Sequence, residues 1–245
     1  MRDRISEFYR DKNINIEPEQ VFITSGSSGA FVLTFLTCFD PGDHVAIFNP
    51  SYPAYRNILK SLNLNVVEIH SSIKKNFMID LKKIANYKKI KGLIISSPNN
   101  PNGQIFSFEE LKFIYEFCQK HSIKLISDEI YHGIEYEKKT YTLNLFGKDV
   151  IVINSFSKYF CMPGWRLGWV TVPYSLKDNF LKLSQNLFIS SNNIAQYAAI
   201  KSFEHLNHFD KNVEIYLKNR NLIYRSCLLY TSPSPRDAHE SRMPS

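Results

Sequence analysis

The chain has 245 residues, of which 44% are hydrophobic and 14% aromatic, with a formal net charge of +7. That is enough apolar material for the core of one large domain, or of one domain and part of another, and no segment offers the long uncharged run of a membrane span. The charge does not read as a nucleic-acid footprint. The lysines fall in short pairs (Lys74-Lys75, Lys82-Lys83, Lys88-Lys89, Lys138-Lys139) without interleaved aromatics, which is the pattern of a solvated surface.

Cys38, Cys118, Cys161 and Cys227 are far apart and form no CxxC pair. Reduced thiols in a cytoplasmic core fit that spacing better than a disulfide framework or a metal site. The start, MRDRISEFYR, is charged and lacks the apolar stretch of a secretory signal, so a cytoplasmic protein is expected.

From about Val21 to Val172, short apolar runs alternate with helical stretches. The runs are 45–48, 66–69, 93–95, 124–127, 150–153 and 167–172. The clearest predicted helix spans 108–121, where Leu111, Ile114, Tyr115 and Cys118 recur at helical spacing behind a Ser107 cap. Such alternation predicts an α/β fold with a mostly parallel sheet sandwiched by helices. One connection breaks the pattern. The segment between Ile153 and Leu167 has Pro163 and Gly164 but no helix, which is too little for a parallel crossover, so that pair is predicted antiparallel and the sheet mixed. Beyond Pro173 helices are predicted over 176–188 and within 193–222. The composition changes at Ser226 to a Pro/Ser/Arg-rich stretch without periodicity, so 226–245 is expected to be a non-native or disordered tail, and 1–225 the folded domain.

Five groups of chemistry-bearing residues each fall just after a predicted strand. They are the GSSG stretch at 26–29, Tyr52, Asn99-Asn100, Asp128 with Tyr131, and Ser155, Ser157 and Lys158. Open α/β sheets bind ligands outside the carboxyl ends of their strands, so these groups are placed to share one crevice. Singly they mean less. GSSG fits a strand-to-helix turn as well as a phosphate-binding helix start, and with no Lys-Ser/Thr following it is not a Walker loop. SPNNPNG is a strong turn signal. Asp128 and Glu129 are neighbours whose side chains should point apart, and no HExxH joins the histidines. Cys161 reads as a small apolar filler, and His205 and His208 as solvent-facing.

Taken together, the motifs are specific. SFSKYFCMPGWRLGW resembles the lysine motif of the class I/II aminotransferases, enzymes of the fold type I pyridoxal 5′-phosphate (PLP) architecture. The resemblance continues in order through GSSGA, NPSYPAY, PNNPNG and DEIYHG and covers roughly residues 2–222. It implies that this is a PLP-binding large domain in which Lys158 forms the Schiff base and then acts as general base. Asp128 would pair with the pyridine nitrogen, Tyr131 and Asn100 would hydrogen-bond the ring's phenolate oxygen, and Tyr52 would lie flat on the ring. Ser27, Ser28, Ser155, Ser157 and Arg166 would hold the phosphate, the last through its planar guanidinium.

The implied reaction is amino transfer between an amino acid and a 2-oxo acid by a homodimer. The alternatives on the same scaffold are a C–S lyase or synthase and a PLP-binding regulatory domain; the last calls for a basic winged-helix segment upstream, and the sequence shows none. Two departures stand out. Pro163 replaces the small polar residue of many relatives. The family's N-terminal segment and its C-terminal small domain, with the arginine that binds the substrate carboxylate, have no counterpart here; Arg220 and Arg225 lack that motif. A fragment truncated at both ends is expected.

Overall fold

The computed structural model describes residues 1–70 and 89–228. Lys74-Lys75, Lys82-Lys83 and Lys88, the side chain of Cys227 and the tail beyond 228 lie outside the described residues. The chain forms two compact units, Met1–His205 and Leu206–Ser245. In the second, the described element is a helix over Leu206–Leu228.

The first unit begins with α1 (Arg2–Arg10), then β1 (Val21–Thr24), α2 (Gly26–Cys38), β2 (His44–Asn49), α3 (Pro53–Ser61) and β3 (Asn65–His70). It continues through β4 (Ile90–Ser96), α4 (Phe108–Lys120), β5 (Lys124–Asp128), β6 (Ile151–Ser155), β7 (Gly168–Thr171), α5 (Lys177–Leu187) and α6 (Asn193–Ser202). The α4 boundary follows from local chemistry: the Ser107 hydroxyl accepts from the Glu110 amide while the Glu110 carboxylate accepts from the Ser107 amide. The six predicted runs are all strands, and β1 is a seventh. The helical stretch predicted within 193–222 is divided by a short 3-10 turn at Phe203–His205.

The strands lie in the order β1-β7-β6-β5-β4-β2-β3. Neighbours from β3 to β6 pair in parallel, whereas β7 is antiparallel to both β6 and β1. The predicted antiparallel pair is therefore present, and β7 is the strand that reverses direction. Alternation places Val45, Ile47, Ile94, Ile126, Ile151 and Ile153 in one core with Phe31 and Phe35 of α2. Ala46, Leu93, Ile95, Leu125 and Val152 belong to the opposite core with Leu111, Ile114 and Cys118 of α4. A strand buried on both faces must be apolar at successive positions, which is why the predicted runs are nearly continuous. No helix among the described residues is long and apolar enough to cross a membrane.

β7 is fixed from two sides. Trp169 is fully buried and donates from Nε1 to the Tyr9 hydroxyl of α1 at 3.3 Å. Gly168 lies directly against backbone: a methyl at its Cα would stand 2.8 Å from the Asn154 carbonyl oxygen, 2.8 Å from the Gly26 carbonyl carbon and 2.9 Å from the Ser27 nitrogen. None of these neighbours is a side-chain end that can swing aside. Gly168→Ala is expected to destabilise the protein by about 1–3 kcal/mol, read as a lower midpoint in thermal or denaturant unfolding.

Candidate active site

Strand direction explains why the motifs converge. Ser96, Asp128 and Ser155 close the parallel strands β4, β5 and β6, and Ser96 is in register with Asp128. Because β7 runs the other way, its beginning rather than its end reaches this edge, with Gly168 in register with both Ser155 and Thr24. Arg166, two residues before Gly168, and Gly26, two residues after Thr24, are thereby brought together. The starts of α2 and α3 open onto the same edge, as expected for an α/β sheet that binds ligands at its carboxyl ends.

Asp128 is at the base of the site, 2% exposed. Its Oδ1 accepts from the Ile130 amide at 3.1 Å and its Oδ2 accepts from the Tyr55 hydroxyl. Burial pushes the carboxyl from an ordinary 3.8 up to about 6; Tyr55, Ile130 and the positive charge of Lys158 pull it down, and Glu129 pushes it further up. Glu129 itself belongs to another network. Its Oε1 accepts from the Ser127 hydroxyl and the Leu143 amide, and its Oε2 faces His132 Nδ1 at 3.4 Å. The expected separation of the two carboxylates is what the structure has.

Lys158 is exposed in the turn after β6, flanked by Phe156 and Phe160, both buried, with their rings 4.8 Å apart. Two buried rings on either side of an exposed amine anchor the turn and direct the lysine outward. Its Nζ lies 5.5 Å from the centre of the Tyr131 ring. The Tyr131 hydroxyl is 3.5 Å from Asn100 Nδ2, the long limit of a hydrogen bond. Burial, followed by the charges of Asp128 and Tyr52, raises the Tyr131 pKa and keeps it a phenol. The Tyr52 ring, partly exposed at the start of α3, meets Tyr55 edge-on at 5.7 Å.

A second cluster is suited to an anion. Gly26 has φ +66, and a methyl there would lie 2.6 Å from Arg166 Nη2, so the guanidinium occupies the space that glycine leaves. Arg166 is itself left-handed, at φ 52, and its Nη1 donates to the Pro163 carbonyl at 3.0 Å. Pro163 therefore supplies the carbonyl that orients this arginine. Ser155 Oγ is 2.9 Å from Ser157 Oγ and 3.2 Å from the Leu167 carbonyl. Ser27 and Ser28 occupy the first turn of α2, whose N-cap Ser25 makes no side-chain cap bond, and a helix N-terminus favours an anion. Positive charge, hydroxyls and helix amides in a glycine-walled recess match a phosphate.

The structure thus gathers Tyr52, Asn100, Asp128, Tyr131 and Lys158 in one group and Ser27, Ser155, Ser157 and Arg166 in an adjoining one, with Ser28 beside them facing solvent. Sequence reasoning missed two residues. Tyr55 lay inside NPSYPAY, but only its strand-to-helix position beside Tyr52 hinted at the reach to Asp128. Gly168 carries no local signal, since the backbones it admits are distant in sequence. Cys161 corrects an expectation. It is exposed at φ 54 rather than an apolar filler, because the tight turn after Lys158 aims its side chain outward.

Comparison with known proteins agrees with this arrangement. The family described as aminotransferase class I and II matches residues 1–234. The valine–pyruvate aminotransferase of Mycobacterium tuberculosis is 40% identical over 91% of this chain and 59% of its own length. The (5-formylfuran-3-yl)methyl phosphate transaminase of Methanocaldococcus jannaschii is 38% identical over 89% of this chain and 60% of its own. A crystal structure of an aminotransferase from Mycobacterium tuberculosis superposes with a TM-score of 0.86 at 41% identity, covering 90% of this chain and 59% of that one. The chain therefore spans about 60% of the length of the curated relatives it matches. With the fold, the lysine turn and the family match in agreement, the chain belongs to the aminotransferase class I and II family, whose members are pyridoxal 5′-phosphate-dependent.

Proposed function

We propose that the protein transfers an amino group between an amino acid and a 2-oxo acid, using PLP held at the carboxyl edge of the sheet. The observation that carries this reading is the meeting, at one edge of the sheet, of a buried carboxylate, an exposed lysine and a cluster suited to an anion. The fit of the cofactor is tested by the recess itself. Gly26 leaves the space in which Arg166 Nη2 lies, and the hydroxyls of Ser155 and Ser157 and the first turn of α2 adjoin it.

Bound PLP supplies an aldehyde for amines and a ring that withdraws electrons from the substrate Cα. In the proposed roles, Arg166, Ser27, Ser28, Ser155 and Ser157 bind the phosphate and fix where the ring lies. Tyr52 covers one face of the ring. Asp128 holds negative charge beside the ring nitrogen, and Tyr131 and Asn100 direct their donors to the ring oxygen. Lys158 provides the amine that holds the aldehyde and then moves the proton at the substrate Cα. A homodimer in the cytoplasm belongs to the same proposal. The exposed Trp165, Ile189, Ile194 and Tyr197 are side chains that a second copy would cover.

Two variants test the reading in the whole protein. Lys158→Ala should abolish the pH-dependent visible absorbance of the bound cofactor; an unchanged band would show that another residue holds the aldehyde. Asp128→Asn should retain PLP but lose roughly 10²-fold or more in turnover, on the order expected when a positioned charge is removed from a site, and near-normal rates would exclude the role given to Asp128.

The second variant also has a cofactor-free readout. The rise from 3.8 to about 6 means that folded Asp128 keeps its proton while the unfolded chain has lost it, so stability falls as pH rises through this window. At about 1.4 kcal/mol for each pH unit, the cost above the window is on the order of 3 kcal/mol. Relative to wild type, cofactor-free Asp128→Asn should therefore gain stability between about pH 4 and pH 7, measured by denaturant unfolding across that range.

A further inference from the structure

Tyr55 is almost as buried as the carboxylate it serves. It is 2% exposed, and its hydroxyl donates to Asp128 Oδ2. The Ile130 amide takes the opposite oxygen at 3.1 Å, so both carboxylate oxygens are held from the protein side. Burial, followed by the charge of Asp128 and the hydrogen bond to it, drives the Tyr55 phenol well above its ordinary value, so Tyr55 remains the donor in this pair. The ring is fixed as firmly as the hydroxyl. It packs against Phe31 of α2 at 5.1 Å and receives the Tyr52 ring edge-on at 5.7 Å, with an interplanar angle of 86°. The sequence explains this arrangement. Tyr52 is the N-cap of α3, Pro53 begins it, and Tyr55 stands three residues after Tyr52, so the two rings share one side of the first turn.

We infer that Tyr55 is a positioning residue that holds the Asp128 carboxylate in place and ties it, through ring contact, to Tyr52 on the covering side of the crevice. The inference rests on the reading that Asp128 faces the nitrogen of a bound PLP ring. A carboxylate attached only through the backbone-directed bond of Ile130 would be free to swing its other oxygen about that contact. The Tyr55 hydroxyl removes this freedom and offsets part of the cost of burying the charge. Because one phenyl ring contacts both Tyr52 and the floor of the site, displacement of either tyrosine disturbs the spacing between cover and base. The other ionisable groups acting on Asp128 are Glu129, Lys158 and, at the crevice, Tyr131, none of which replaces the Tyr55 donor.

The test is a double-mutant cycle with Tyr55→Phe and Asp128→Asn in the whole protein. Phenylalanine keeps the ring that packs against Phe31 and removes only the hydroxyl. With Asp128 present, Tyr55→Phe should weaken PLP binding about tenfold, as expected for a hydrogen bond to a charged group, displace the pH midpoint of the cofactor's visible band, and lower kcat more than it changes KM. In the Asp128→Asn background the same replacement should do little, because the charge it serves is gone. Equal losses in both backgrounds would mean that Tyr55 is merely packing and would overturn the inference. A cofactor-free measurement separates this from failure of the functional reading. In protein carrying ¹³C-labelled aspartate, Tyr55→Phe should raise the titration midpoint of the Asp128 carboxyl. An unchanged midpoint, with the parent's cofactor band intact, sinks the role of Tyr55; a parent without any cofactor band sinks the PLP reading instead.

Discussion

The arrangement of the crevice depends on the reversal of β7. Had the chain entered β7 parallel to β6, Arg166 would sit at the opposite end of the sheet from Ser155, Asp128 and the start of α2. The short connection, whose one helical element is a 3-10 turn at Pro163–Trp165, enforces the reversal, because it is too compact to cross back over the sheet. The reversal in turn requires Gly168. Its missing side chain lets β7 lie against the backbone of Asn154, Gly26 and Ser27 at once. Trp169 then secures the strand from the α1 side through Tyr9. One glycine and one tryptophan, adjacent in sequence and opposite in size, set the place of the anion cradle.

The other constraint is electrostatic. A carboxyl group buried as deeply as Asp128 costs stability, and its upward shift measures that cost. Two donors and a nearby lysine offset part of it. In the proposed function the remainder is offset by a positively charged ring nitrogen, which gives the buried charge its use. Strain of this kind is characteristic of sites that are complete only with their ligand bound. Lys158 differs in kind: it is exposed on a turn whose flanking phenylalanines are buried, so the core holds the turn while the amine stays available.

Several features were legible from the residues alone. A Ser107–Glu110 capping pair fixes the start of α4 because the bonds are local, and the apolar runs mark strands because both faces of the sheet are covered. The lack of an α-helix between Ile153 and Leu167 pointed to the antiparallel pair, since crossover length is a matter of chain geometry. The motif order, through its resemblance to the aminotransferase family, pointed to Lys158, Asp128, Tyr131, Asn100, Tyr52 and Arg166, and the turns that carry them meet at one edge of the sheet.

Tertiary structure alone decided what depends on contact between distant segments. β1 is only four residues long and becomes a strand by pairing with β7, Val21 opposite Thr171 and Thr24 opposite Gly168, across a span that no local pattern reports. Tyr55 and Asp128 lie 73 positions apart, and their hydrogen bond follows from how α3 packs on the sheet. Cys161 looked like filler from its composition, but the left-handed turn sends it to solvent. Sequence therefore determined the elements and the chemical inventory, which rest on local periodicity and bonding. The partner of each buried polar group was decided by folding, because hydrogen bonds and close backbone approaches act over a few ångströms of space and not over any fixed distance along the chain.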